Sequence, residues 1–219
     1  MKTRVAVLIS GTGSNMAALI DAGQAPDSAY EVALVLSNVE DAGGLAVARA
    51  KGVDTAVVSH RPFGKDRAAH EQAIDAALRR AGVQVVALAG YMRVLTPWLV
   101  GAWRERMLNI HPSLLPSFPG LHTHARAIEA GAKLHGCTVH LVTPELDSGP
   151  IIAQAAVPVL QGDDEPALAA ALRNLLQNWP TADFDLPRCQ ANLRAKFLVG
   201  HTVAKLTAEF ARLTTPAGG

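Results

Sequence analysis

Asn109 and His111 flank Ile110 in the run MLNIHP. In an extended chain of period two their side chains share one face while Ile110 takes the other. An amide donor beside an imidazole can hold the oxygen of a tetrahedral intermediate, and each such donor is worth about 3–4 kcal/mol where it has been removed. Pro112 stops regular pairing directly afterwards, so the pair stands at the carboxyl end of a strand, where open α/β sheets bind ligands. A polar pair that merely closes a strand has the same appearance. Asp147 lies in TPELDSGP, in which Asp-Ser-Gly is first of all a common turn. A turn folded to within about 4–6 Å of His111 would place a carboxylate that favours the imidazolium, giving a donor at neutral pH.

A second candidate is GTGSN, Gly11 to Asn15, which follows the apolar run Val5 to Ile9 and precedes Met16, Ala17, Leu19 and Ile20 at helical spacing. Strand, glycine turn and helix in that order leave free backbone N–H groups at a helix start, where a phosphate or carboxylate binds. A plain tight turn satisfies the same spacing. The motif is not a dinucleotide fingerprint, because Met16 occupies the third glycine position and no acidic residue closes the next strand at Ser37-Asn38. Ser10 and Ser14 stand outside any nucleophile-elbow sequence, which argues against an acyl enzyme. His122, His124, His135, Cys137 and His140 show neither zincin nor zinc-finger spacing, so no metal site is expected.

The elements that must position these residues alternate. Apolar runs at Val5 to Ile9, Glu31 to Ser37, Thr55 to Ser59 and QVVALAG read as buried strands. Between them lie helices at Gly44 to Lys51 and Lys65 to Ala81, the latter with Ile74, Ala77, Leu78 and Ala81 on one face and Gly82 as its stop. Buried strands separated by helices form a doubly wound, mostly parallel α/β sheet flanked by helices. After Arg106 come the strand MLNI, the proline-stiffened loop HPSLLPSFPGLHTH, a helix near Ala125 to Gly131, and the strands CTVHLVT and IIAQAAVPV. Beyond Asp164 the chain reads as mainly helical, and Val199, Val203, Leu206, Phe210 and Leu213 make one apolar stripe.

The chain has 219 residues, 49% hydrophobic and 18% charged, with 20 Lys plus Arg against 19 Asp plus Glu. A core of that size suits one domain, and a net charge of +1 supplies no field for nucleic acid or anionic membrane. Cys137 and Cys189 have no paired spacing, and no apolar run is long enough for a signal peptide or a membrane span. A small-molecule partner and a cytoplasmic address are expected.

Taken together, SGTGSNMAALIDA, LAGYMRVL, LNIHPSLLPSFPGLHTHARAIEAG and ELDSGPIIAQAAVPV resemble the folate-dependent formyltransferase family, with GTGSN and PGLHTH similar to its glycinamide ribonucleotide branch. The resemblance covers residues 4 to 166. It implies transfer of the formyl group of 10-formyltetrahydrofolate, a co-substrate, to the amine of 5'-phosphoribosylglycinamide, with no metal. By that resemblance Asn109 and His111 stabilise the oxyanion, and Asp147 orients His111 and helps move protons. Gly13, Ser14 and Asn15 would bind the ribonucleotide phosphate. Arg67, Met92, Arg93, Val94, Leu95 and Asn109 would line the folate site, with the loop after Leu141 closing over the pterin and Leu115-Pro116 in the cis form. The protein would act as a monomer or homodimer.

The pattern departs at RNLLQNWP, where Leu176 stands at the family's glutamate, a contact to the ribonucleotide sugar that leucine cannot make. Residues 1–174 are thus expected to form the formyltransferase domain, and 175–219 a divergent extension that packs as a helix or makes a dimer contact. Kept beside this reading are a formyltetrahydrofolate hydrolase, a formyltransferase for another amine, and an inactive folate-binding paralogue.

Overall fold

The structure, a computed structural model, describes residues 1–177, with side chains as far as Asn174. The expectations for the Leu176 side chain, for Trp179-Pro180 and for the stripe Val199 to Leu213 lie outside the described residues. In chain order the elements are β1 (Thr3–Ile9), α1 (Ser14–Gln24), β2 (Tyr30–Ser37), α2 (Gly43–Ala50), β3 (Thr55–Val57), α3 (Arg67–Arg80), β4 (Val85–Leu88), α4 (Pro97–Ala102), β5 (Met107–His111), α5 (Thr123–Glu129), β6 (Leu134–Leu141), β7 (Ile151–Pro158) and α6 (Glu165–Gln177). The strands form one seven-stranded sheet in the order β3-β2-β1-β4-β5-β6-β7. Pairing is parallel from β3 through β5 and antiparallel across β5, β6 and β7.

Period two sorts the core. Ala6 and Leu8 of β1, Leu34 and Leu36 of β2, and Val86 and Leu88 of β4 pack with Ile74 and Leu78 of α3 and with Leu99, Val100 and Trp103 at α4. Trp103 is buried yet satisfied, since its indole N–H donates to Asp75 Oδ1 at 2.9 Å. The alternate β1 residues Val7 and Ile9 are buried toward the side of Met16, Ile20, Leu45 and Ala48 from α1 and α2. At the far edge, Val157 of β7 meets Leu168 and Leu172 of α6.

β3 and α4 differ from the sequence reading for physical reasons. β3 ends at Val57 rather than Ser59 because its partner β2 ends at Ser37, the residue Val57 faces. Pro97–Ala102 forms a helix that apolar periodicity did not single out, because six residues make fewer than two turns. Helix α6 runs without a break from Glu165 to Gln177, through position 174.

Chain order reverses between β1 and β4, which lie side by side with β2 on one flank and β5 on the other. Such a reversal opens a crevice beyond the carboxyl ends of the strands. The glycine turn leaves β1 there, the segment from Ala89 to Thr96 leaves β4, and Asn109 and His111 end β5.

Candidate active site

β5 is the strand at which the sheet changes sense, paired parallel to β4 and antiparallel to β6. In that register Asn109 lies opposite His140 and His111 opposite Thr138. Cross-strand neighbours of this kind approach closely enough for side chains to bond, and Asn109 Nδ2 donates to His140 Nε2 at 3.1 Å. The His140 tautomer follows from its other nitrogen. Nδ1–H donates to the Leu141 carbonyl at 2.9 Å, which leaves Nε2 as the acceptor for Asn109. Burial lowers the His140 pKa, against the upward pulls of the Leu141 carbonyl and Asp147. A neutral ring with one bare nitrogen is what the amide of Asn109 requires.

Asp147 sits in the turn between β6 and β7 with φ of 50°, in the left-handed region. Gly149 allows this turn to close against the strand, since a Cβ there would stand 1.8 Å from the Leu141 carbonyl oxygen. The turn brings Asp147 Oδ2 to 3.4 Å from His111 Nδ1 and Oδ1 to 3.8 Å from His140 Nε2. Gly120 N–H donates to the same Oδ2 at 2.8 Å, so the proline loop and the turn are joined through this carboxylate. His111 Nε2–H donates to the Phe118 carbonyl at 3.0 Å. The imidazole therefore faces an oxygen at each nitrogen: a doubly protonated ring donates to both, a neutral ring to one.

The proline loop that supplies these oxygens and amides is built from behind. Thr138 Oγ1 donates to the Ser113 carbonyl at 2.7 Å and accepts from Leu115 N–H at 3.0 Å. Gln154 Nε2 donates to the Leu115 carbonyl at 2.8 Å, and the Leu115-Pro116 bond is cis, as the resemblance implied. His124 Nδ1 and His135 Nε2 share a hydrogen bond of 2.9 Å. His135 is buried, and burial with the adjacent His124 lowers its pKa to about 4. Among the described residues no group of three or more His, Cys, Asp or Glu side chains is arranged to hold a metal ion.

The structure brings Asn109, His111 and Asp147 together with His140, which sequence reasoning had weighed only as a metal ligand. Period two puts Thr138 and His140 on one face of β6, a signal that could have found them, whereas the antiparallel register opposite Asn109 has no local signal. The glycine turn lies in the same crevice. Gly13 has φ of 73° and caps α1, and a Cβ there would meet Met16 Cε at 2.7 Å and Gly44 Cα at 3.1 Å, so the turn packs against α2. No side chain caps α1, so its first amides have no side-chain acceptor. Ser14 is exposed and Asn15 partly so. Arg67 is exposed at the start of α3, Arg93 is partly buried, and Met92 and Val94 are exposed large apolar residues. Leu95, by contrast, packs in the core with Leu99 and Ile74.

A protein-family model described as formyl transferase matches residues 3–181. The trifunctional purine biosynthetic protein adenosine-3 of Homo sapiens is 46% identical over 172 residues, 78% of this chain and 17% of that protein. The chain thus spans about a sixth of that relative's length. Phosphoribosylglycinamide formyltransferase of Escherichia coli (strain K12) is 46% identical over 169 residues, 77% of this chain and 79% of its own. Among solved structures, phosphoribosylglycinamide formyltransferase from Brucella melitensis superimposes with a TM-score of 0.77 at 52% identity, covering 81% of this chain and 91% of that one.

Proposed function

The chain belongs to the formyl transferase family, and we propose that it transfers the formyl group of 10-formyltetrahydrofolate to the amine of 5'-phosphoribosylglycinamide. The products are formylglycinamide ribonucleotide and tetrahydrofolate. The observation that carries this reading is the convergence of Asn109, His111 and Asp147 at the end of β5, beside the crevice bordered by the glycine turn. The relatives named for this reaction support it.

In this mechanism the ribonucleotide amine attacks the formyl carbon, and the new carbon–nitrogen bond raises an oxyanion on the former formyl oxygen. Asn109 still has one amide N–H beyond the one held by His140, and that N–H is available to the oxygen. His111 donates from Nε2 when the incoming oxygen takes the place of the Phe118 carbonyl, while Asp147 holds Nδ1. Collapse breaks the bond from the formyl carbon to the folate nitrogen. The proton lost by the amine and the proton gained by the leaving nitrogen pass through water ordered by Asp147. Gly13, Ser14 and Asn15 bind the phosphate, binding energy remote from the chemistry that holds the amine in place. Arg67 and the segment Met92 to Leu95 border the folate, with the loop after Leu141 closing over the pterin. Met92 and Val94 offer the apolar surface, and Leu95 supports it from within the core.

Formyl transfer by the full chain, followed as tetrahydrofolate release with and without the ribonucleotide, tests the proposal. Ribonucleotide-dependent turnover is expected. Equal turnover in its absence would make the protein a hydrolase and overturn the reading.

A further inference from the structure

The strip of chain between β4 and α4 is held at its two ends by a part-buried serine and a buried glutamate that the reaction leaves unassigned. At one end Met92 N–H donates to Ser10 Oγ at 2.8 Å, and the Ser10 hydroxyl donates onward to Asn38 Oδ1 at 2.6 Å. Asn38 is buried, and its backbone carbonyl accepts from His60 Nδ1 at 2.9 Å. At the other end Thr96 N–H donates to Glu71 Oε1 at 2.8 Å and the Thr96 hydroxyl donates to Glu71 Oε2. Glu71 belongs to α3 and is 3% exposed.

Burying a carboxylate is costly unless hydrogen bonds compensate. Here those bonds come from the strip itself. Thr96 is the N-cap residue of α4, where a threonine hydroxyl ordinarily accepts from a helix amide. It makes no such cap bond and serves Glu71 instead. Tyr91, just before the first anchor, and Leu95 pack into the core, while Met92 and Val94 stand out at 64% and 53% exposure. The amides of Arg93, Val94 and Leu95 form no hydrogen bond with other described residues. No ladder fixes this strip, so beyond the packing of Leu95 its reach and aim depend on its two ends.

We propose that Glu71 is a positioning residue for the folate site: its buried carboxylate, through Thr96, sets the height and orientation of the strip Met92 to Leu95 against the folate. The inference rests on the reading that this strip borders the folate. Ser10 holds the opposite end and directly precedes the glycine turn, so the two ligand subsites share one anchor.

The test compares wild type, Glu71→Gln, Thr96→Val, the double variant and Thr96→Ser, with folding checked by thermal unfolding. Tetrahydrofolate binding is measured by calorimetry under reducing conditions, and KM for each substrate in the transfer assay. Glu71→Gln keeps the shape but replaces one acceptor by a donor, and folate affinity is expected to fall about tenfold, the scale of one charge-assisted hydrogen bond. Ribonucleotide KM and kcat stay within about threefold, and Thr96→Ser, which retains the hydroxyl, within about twofold of wild type throughout. The double variant loses about as much as either single one, because both cut the same contact. A folded Glu71→Gln that binds tetrahydrofolate as wild type does, or that loses ribonucleotide affinity by the same factor, overturns the assignment. So does unfolding of Glu71→Gln alongside a folded Thr96→Val of unchanged folate affinity. If wild type binds tetrahydrofolate but shows no ribonucleotide-dependent transfer, the proposed function fails while the binding comparison still decides the role of Glu71.

Discussion

Replacing Asp147 by Asn removes a charge and almost no volume, which isolates what the carboxylate does for His111. At the observed 3.4 Å and an effective dielectric constant of about 20, an imidazolium and a carboxylate attract by about 5 kcal/mol, an upper bound of nearly four decades in rate. A single charge-assisted hydrogen bond nets about 1.5–3 kcal/mol, a lower bound of about 10- to 150-fold. Both side chains are buried, so water screens little of this difference. The Asn carbonyl can still accept from Gly120 N–H, so the turn keeps its anchor. The expected result is a fall in kcat of about 10²–10³, with KM for both substrates within a few fold, because the charge acts on the transition state. Steady-state tetrahydrofolate release across substrate concentrations, with thermal unfolding as control, measures both. A folded variant whose kcat falls less than about tenfold, or whose loss appears wholly in KM, would refute the reasoning.

Other outcomes follow from the same geometry. Asn15→Leu should weaken ribonucleotide binding by about ten- to a hundredfold while tetrahydrofolate binding, read by calorimetry, stays near wild type. His135 has its pKa lowered to about 4 by burial, so the unfolded chain takes up its proton first as pH falls. Stability is therefore lost between pH of about 6.5 and 4, by up to about 3 kcal/mol, and His135→Gln should flatten that part of a urea-midpoint profile. Gly149→Ala drives a Cβ into the Leu141 carbonyl at 1.8 Å and must displace the turn that carries Asp147. Both Tm and kcat should drop, kcat at least tenfold, whereas an intact turn would leave kcat alone.

The parallel half of the sheet was legible because buried strands of that kind are continuous apolar runs, and glycines mark where β1 and the helix before β4 stop. Asn109 and His111 were legible too, since a period of two needs only neighbouring residues. His140 was not. Its partnership with Asn109 spans 31 residues and depends on which antiparallel register the sheet adopts, a choice made by packing. The oxygen at His111 Nε2 belongs to the Phe118 backbone, and a carbonyl has no side-chain signature. Glu71 reads in sequence as one more charge on a helix, because burial on α3 is decided by where the strip before α4 crosses it. Leu95 shows the converse: adjacency in sequence grouped it with Met92 and Val94, while alternation of side chains sent it into the core.

The change of pairing sense at β5 divides the residues singled out in this protein between two halves of the sheet. Asn109, His111, His140 and Asp147 all lie on or just beyond the antiparallel strands β5, β6 and β7. The glycine turn belongs to the parallel half, between β1 and α1, as does the strip Met92 to Leu95 that follows β4. Under the proposed function, the groups that handle the formyl carbon therefore sit in one half of the sheet and most of those that hold phosphate and folate in the other. On that reading, substitutions confined to the parallel half are expected to change which ligands bind before they change how the formyl carbon is handled.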